Sequence, residues 1–202
     1  AVQSSGNQNP VWYVGDAVQN NDNNGQSMNG SCFLFIDDDA TGDQTPAYQL
    51  DFITPAFDAS QYPTIELSVD VHYRDWGDAD EYFDVLLTDG VTETLIRRYD
   101  KYRSTGSNLY EYETLVFDLA ILTKSPNARI IFRYNDAGGF NWWAGFDNFS
   151  ITGKGQGVNV IAESFNGCSK PSGWETEVLT GNDDWQFGLI TQGAGLGGSN
   201  SM

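Results

Sequence analysis

The sequence predicts an all-β chain folded as a two-sheet antiparallel sandwich of jelly-roll type. Three observations carry the prediction. Apolar and polar residues alternate along much of the chain, as in Ile65, Leu67, Val69 and Val71 against Glu66, Ser68, Asp70 and His72. No segment carries the apolar stripe of an amphipathic helix. Aromatic residues reach 14% and Gly numbers 22, a balance that suits short strands joined by Gly, Asn and Asp turns.

Taken in order, residues 33–36, apolar throughout, and 50–53, apolar but for Asp51, read as more buried strands. The stretch 65–72 alternates and reads as a strand with one wet face, His72 lying on that polar face beside Asp70 and Arg74. Phe83, Val85 and Leu87 continue the pattern, as do Leu115 and Phe117 against Thr114 and Val116, and Ile130 and Phe132 against Ile131 and Arg133. Residues 144–151 read as a last buried strand. Turn signals separate these runs: Asp89-Gly90, residues 104–108, Ser125-Pro126-Asn127 and Gly138-Gly139. About eight strands at this spacing make a jelly-roll sandwich.

Composition excludes several function classes. The net charge is −18 with only 10 Lys and Arg, so the basic footprint that nucleic acid or an anionic membrane surface requires is missing. No apolar run reaches the roughly 18 residues of a membrane-spanning helix, so membrane insertion is not expected. Such an acidic chain repels itself when folded, and a bound hard cation such as Ca²⁺ would relieve that; plain solubility is the simpler explanation.

A repeat is visible. Gly6-Asn7, Val11-Trp12-Tyr13-Val14-Gly15 and Ser27-Met28 recur in order as Gly181-Asn182, Asp184-Trp185-Gln186-Phe187-Gly188 and Ser201-Met202. Trp12 and Trp185 lie 173 residues apart. The expected organisation is therefore a first unit over 1–152, a Gly-rich linker over 153–157, and the opening of a second, truncated unit over 158–202.

Several strings then look familiar together. They are Phe33-Leu34-Phe35-Ile36-Asp37-Asp38-Asp39-Ala40-Thr41-Gly42, Leu50-Asp51-Phe52-Ile53-Thr54-Pro55-Ala56-Phe57-Asp58 and Leu67-Ser68-Val69-Asp70-Val71-His72-Tyr73-Arg74. Trp142-Trp143-Ala144-Gly145-Phe146-Asp147-Asn148-Phe149-Ser150-Ile151 closes the set. Glu163-Ser164-Phe165-Asn166-Gly167-Cys168-Ser169-Lys170-Pro171-Ser172-Gly173-Trp174 opens the second unit. In this order they resemble the MAM-like jelly-roll modules of secreted Bacteroidetes proteins, including the cleaved-adhesin domains of gingipains and the choice-of-anchor domains. The resemblance covers residues 12–152, and 160–188 as a second start. It implies a concanavalin-like or MAM-like sandwich, export to the cell surface or medium, a structural Ca²⁺ site, and adhesion or service to a larger enzyme. The first unit lacks its own Glu-Ser-Phe opening, so its sheet is short of an opening strand.

Asp37-Asp38-Asp39 leaves a strand for the turn at Gly42. Successive strand side chains point to opposite faces, so two of the three plus loop carbonyls can reach one ion. Related modules place a cation ligand at the position of Asp147, and Asn29 and Asp51 flank the same region. The candidate metal ligands are thus Asn29, Asp37, Asp38, Asp39, Asp51 and Asp147; solvated turn chemistry is the competing account of the Asp triplet. The candidate ligand-binding aromatics are Trp76, Tyr102, Tyr110 and Trp142, set in Gly-rich or basic surroundings where an exposed ring stacks on a sugar or anchors a protein. Cross-strand Tyr pairing explains the tyrosines equally well. One Trp of the Trp142-Trp143 pair must face away from the core.

Catalytic patterns fail. His72 is the only histidine, no Gly-x-Ser-x-Gly elbow exists, and Asp80-x-Tyr82-x-Asp84 has the spacing of a glycosidase pair without its usual residues. No enzyme is expected; the weakest alternative is a jelly-roll glycosidase. Cys168 belongs to the opening of a repeat and Cys32 to its middle. They can pair only if the segment near 158–165 fills the vacant place in the first unit's sheet, in the same molecule or in a neighbour. The expected partners are an extracellular protein or glycan, and a second copy of the chain through strand complementation.

Overall fold

Alternating apolar residues need a second apolar surface, and this chain supplies it with a second sheet. The computed structural model describes residues 12–15, 32–38, 47–74, 80–100, 110–118, 125–139, 142–154, 158–180 and 189–190. The described strands are β1 (Trp12–Gly15), β2 (Phe33–Asp37), β3 (Gln49–Ile53), β4 (Thr64–Arg74), β5 (Tyr82–Thr88), β6 (Glu93–Tyr99), β7 (Tyr110–Asp118), β8 (Arg129–Asn135), β9 (Trp143–Lys154), β10 (Val158–Glu163), β11 (Glu175–Thr180) and β12 (Leu189–Ile190). A three-residue 3₁₀ turn, Ala59–Gln61, is capped by the Asp58 carboxylate.

The first sheet runs β12-β1-β2-β9-β4-β7, with β10 also on β9; the second runs β11-β3-β8-β5-β6. All pairings are antiparallel except β1 with β12. The chain is a two-sheet β-sandwich. Its core lies between the sheets: Leu34, Ile36, Ile65, Leu67, Val69, Val71, Phe146, Phe149 and Ile151 from one, and Leu50, Phe52, Phe83, Val85, Leu87, Ile130 and Phe132 from the other. Rings cross the interface, with Phe132 stacked on Phe146 at 3.6 Å between centroids and Phe52 6.1 Å from Phe146.

The long strand β9 changes parity partway along. Ser68 faces Ser150 but Asp70 faces Asp147, so β9 holds one extra residue there. The extra residue is Asn148, whose φ of 50° is left-handed, a conformation Asn tolerates better than most residues. Its amide Nδ2 donates to Asp70 Oδ2 at 2.7 Å, and its backbone N–H donates to Asp147 Oδ1 at 2.7 Å. The bulge lets Phe146 and Phe149, three residues apart, both face the core.

The segment read from the sequence as the opening of a second unit is part of this sandwich. β10 lies beside β9 over Phe149–Gly153, end to end with β2, which covers Trp143–Phe146 on the same flank. β11 extends the second sheet as an edge strand on β3. Between them, Phe165 and Trp174 enter the core at 1% and 3% exposure. Trp174 stacks on Phe52 at 5.0 Å and meets Phe149 edge-on at 5.2 Å. Gly153 and Lys154, assigned above to a linker, instead end β9; Gly153 lies against the Tyr62 ring, where a β-carbon would collide. Residues 155–157 and 181–188 fall outside the described residues.

Candidate functional site

The face of β4 expected to be wet is dry at its C-terminal end. Burial along β4 alternates through its first eight residues and then stops, with His72 at 2% and Arg74 at 6% exposure. The cause is a second apolar cluster on the outer face of the first sheet: Phe33, Phe35 and Trp143, with Trp142 packed against it. Gly145 makes this possible, since a β-carbon there would lie 2.7 Å from Leu34 O and 2.9 Å from Phe35 Cβ. Alternation predicted one wet face because the polar residues on it could not show what would cover them.

His72 is consumed by this cluster. Its Nε2 accepts a 2.9 Å hydrogen bond from Trp143 Nε1–H, and its ring lies 6.2 Å from Phe33. Burial, helped by the Arg74 charge, pushes its pKa down to about 3, so it is neutral. Arg74 in turn lies over two indoles, 3.7 Å from the Trp142 centroid and 4.9 Å from that of Trp143. Trp143 is fully buried and Trp142 packs half-buried against the same outer cluster, so Trp142 is the more exposed of the pair.

Next to this cluster lies a buried polar group. Asp38 follows β2; its backbone N–H donates to Trp142 O at 3.0 Å, and its carboxylate accepts from the Tyr48 hydroxyl. Tyr48 N–H donates to Asp136 Oδ1 at 2.8 Å, and Gly138 N–H donates to the same oxygen at 3.0 Å. Asp136 Oδ2 is buried and has no hydrogen-bond partner among described residues. Burial outweighs the two backbone bonds and pushes Asp136 up to about 6. The Tyr134 phenol, 5.9 Å from the Tyr48 ring, is pushed well up by burial and then by the charges of Asp38, Tyr48 and Glu81.

The predicted residues are therefore distributed as follows. Asp38 and Trp142 meet at one end of the sandwich. Tyr110 starts β7 opposite Arg74, at that same end, and its side chain lies outside the described residues. Trp76 and Tyr102 also lie outside them, as do Asn29, Asp39 and the side chain of Asp37. Asp51 does not join Asp38. It faces outward from the other sheet and is held by Arg133 through two bonds of 2.8 and 2.7 Å, while Arg133 also grips Glu93. That bidentate contact raises the Arg133 pKa and occupies both Asp51 oxygens. Asp147 sits apart as well, in the bulge. Among described residues no three His, Cys, Asp or Glu side chains form a metal-holding group; Asp38, Asp51 and Asp147 do not fit one calcium ion together.

Sequence reasoning did not foresee Arg74, Tyr48 and Asp136. Asp136 stands just before the Gly138-Gly139 turn signal, and its hydrogen bonding depends on Tyr48, the residue before β3, which is distant in sequence. Asp84, one carboxylate of the Asp80-x-Tyr82-x-Asp84 pattern, is paired with Arg98 through bonds of 2.8 and 2.6 Å, and Arg98 also covers the Tyr82 ring at 3.9 Å. Cys32 and Cys168 form a disulfide, with Cα atoms 5.3 Å apart. No described helix is long and apolar enough to cross a membrane. Compared with models of known protein families and with well-characterised proteins, the chain matches none.

Proposed function

We propose that this chain is an exported, non-catalytic adhesion or surface module of the cleaved-adhesin or choice-of-anchor kind. Its partner is an extracellular protein or glycan, bound at the end of the sandwich that carries Trp142. The observation that carries this reading is Trp142 itself. It is a half-buried indole fixed from behind by Phe33, Phe35 and Trp143 and braced by the Arg74 guanidinium. A rigid aromatic with one face supported loses little entropy on binding and makes a good anchor. The disulfide supports export, since such bonds persist in oxidising compartments. The commitment of His72 to Trp143 and of Asp84 to Arg98 supports binding over catalysis.

Calcium belongs to this reading as a stabiliser at the Asp37-Asp38-Asp39 turn, with Asn29 as a further ligand; Asp51 is withdrawn. The second reading, a carbohydrate-binding accessory module of a secreted enzyme, draws on the same Trp142. A glycan array with melting curves in Ca²⁺ and in chelator separates the two. A calcium-dependent rise in Tm without a glycan signal supports the adhesion module. A glycan signal abolished in Trp142→Ala supports the second reading. Turnover of any polysaccharide by the purified chain overturns both.

A further inference from the structure

The segment 158–180 has little structure of its own. Its two strands belong to different sheets and pair with the body, β10 with β9 and β11 with β3. Phe165 packs edge-on against Phe146, and Trp174 packs on Phe52 and Phe149. Arg129 pairs with Glu175 at 2.9 Å, and Cys168 is bonded to Cys32 across 136 residues of sequence. The body therefore presents a slot of defined chemistry. It has an edge on each sheet for main-chain hydrogen bonds, room for two aromatic rings in the core, and a buried thiol position to lock whatever enters.

We propose that 158–180 is an exchangeable strap: the slot of one chain takes the strap of a second copy, giving a reciprocally exchanged dimer closed by two Cys32–Cys168 bonds. The occupant is a second copy because every contact just described is available, unchanged, from another chain's strap. The sequence before the strap, Gly155-Gln156-Gly157, is conformationally permissive, as exchange requires. Exchange of an identical element is a low-cost route to a dimer, because it creates few new contacts. At low concentration a chain closes on itself; at high concentration a neighbour competes.

The test uses the unaltered chain in light and uniformly ¹⁵N-labelled forms. The two are reduced, unfolded, mixed in equal amounts and refolded at low and high concentration in a glutathione redox buffer. Each Cys32–Cys168 bond then forms by thiol–disulfide exchange with oxidised glutathione, which leaves as two reduced molecules. Monomer and dimer fractions are separated and digested without reduction, and the linked peptides are weighed. The expected result is same-label pairs in the monomer and mixed-label Cys32–Cys168 pairs in the dimer. These should make up about half of all linked pairs, as random pairing of two equal populations dictates. Same-label pairs alone in every fraction would overturn the proposal. So would an absence of dimer at high concentration, or mixed pairs confined to Cys32–Cys32 and Cys168–Cys168.

Discussion

His72 and Asp136 are buried at the same end of the sandwich and titrate in opposite senses. His72 stands at about 3 in the folded chain against an ordinary value of 6.5, so between these limits the unfolded chain binds the extra proton. Its contribution is complete above about 6.5 and is lost as pH falls toward 3. Asp136 stands at about 6 against 3.8, so the folded chain keeps a proton that the unfolded chain releases. Its contribution is complete below 3.8 and is lost as pH rises through 6. Asp136→Asn keeps an oxygen for the Tyr48 and Gly138 amides but cannot ionise. It should gain on the wild type as pH rises from 4 to 7, by at most about 1.4 kcal/mol per pH unit for a single proton. Urea unfolding at several pH values measures this, and parallel curves would reject it. His72→Phe should flatten the wild-type slope between pH 3 and 6.5. It should also cost about 1–3 kcal/mol at pH 7 by leaving the Trp143 indole N–H without an acceptor.

At the scale of elements, the strap and the bulge decide most. Trp174 is 3% exposed and touches Phe52, Phe146, Phe149 and Phe165. Trp174→Ala should lose about 3–5 kcal/mol in denaturant unfolding, the range for a large aromatic removed from a closed core. A loss under about 1 kcal/mol would mean that the strap's core contacts matter little. The disulfide closes a loop of 136 residues, and reducing it should cost about 2–4 kcal/mol. A melting curve with and without reductant tests this, read together with Cys32→Ser to separate bond from reagent. The bulge was not read from the sequence, where residues 144–151 form one buried strand. Asn148 sits in a strand-like run, and nothing local says that it is the extra residue; the misfit between Phe146 and Phe149 appears only when β4 lies alongside.

The whole molecule carries a charge of −18, and its positive groups are few. Several of these are spent on structural pairs, Arg133 with Asp51 and Glu93, and Arg98 with Asp84. The remaining acidic surface repels itself over the Debye length, about 30 Å at 0.01 M salt and 8 Å at 0.15 M. Raising NaCl from 0.01 to 0.5 M should therefore raise Tm, since screened self-repulsion outweighs the weakening of the exposed pairs. A fall in Tm would mean that the ion pairs dominate.

The sequence by itself determined that this chain is a β-sandwich and which face of its alternating strands is apolar. Side chains on a strand alternate by geometry, so Ile65, Leu67, Val69 and Val71 announce their shared face without help from any other part of the chain. It also singled out Trp142 as a candidate anchor, although both tryptophans join the outer cluster and Trp142 is simply the less buried of the two. Only the tertiary structure decided the rest. The outer face at His72 and Arg74 is dry because Phe33 and Phe35 of β2 meet Trp143 of β9 there. Asp51 is a partner of Arg133 because register puts them opposite each other. The segment 158–180 closes both sheets of its own chain because main-chain hydrogen bonding carries no residue signature. Which edge a strand joins depends on what is open when it arrives, and no stretch of sequence records that alone.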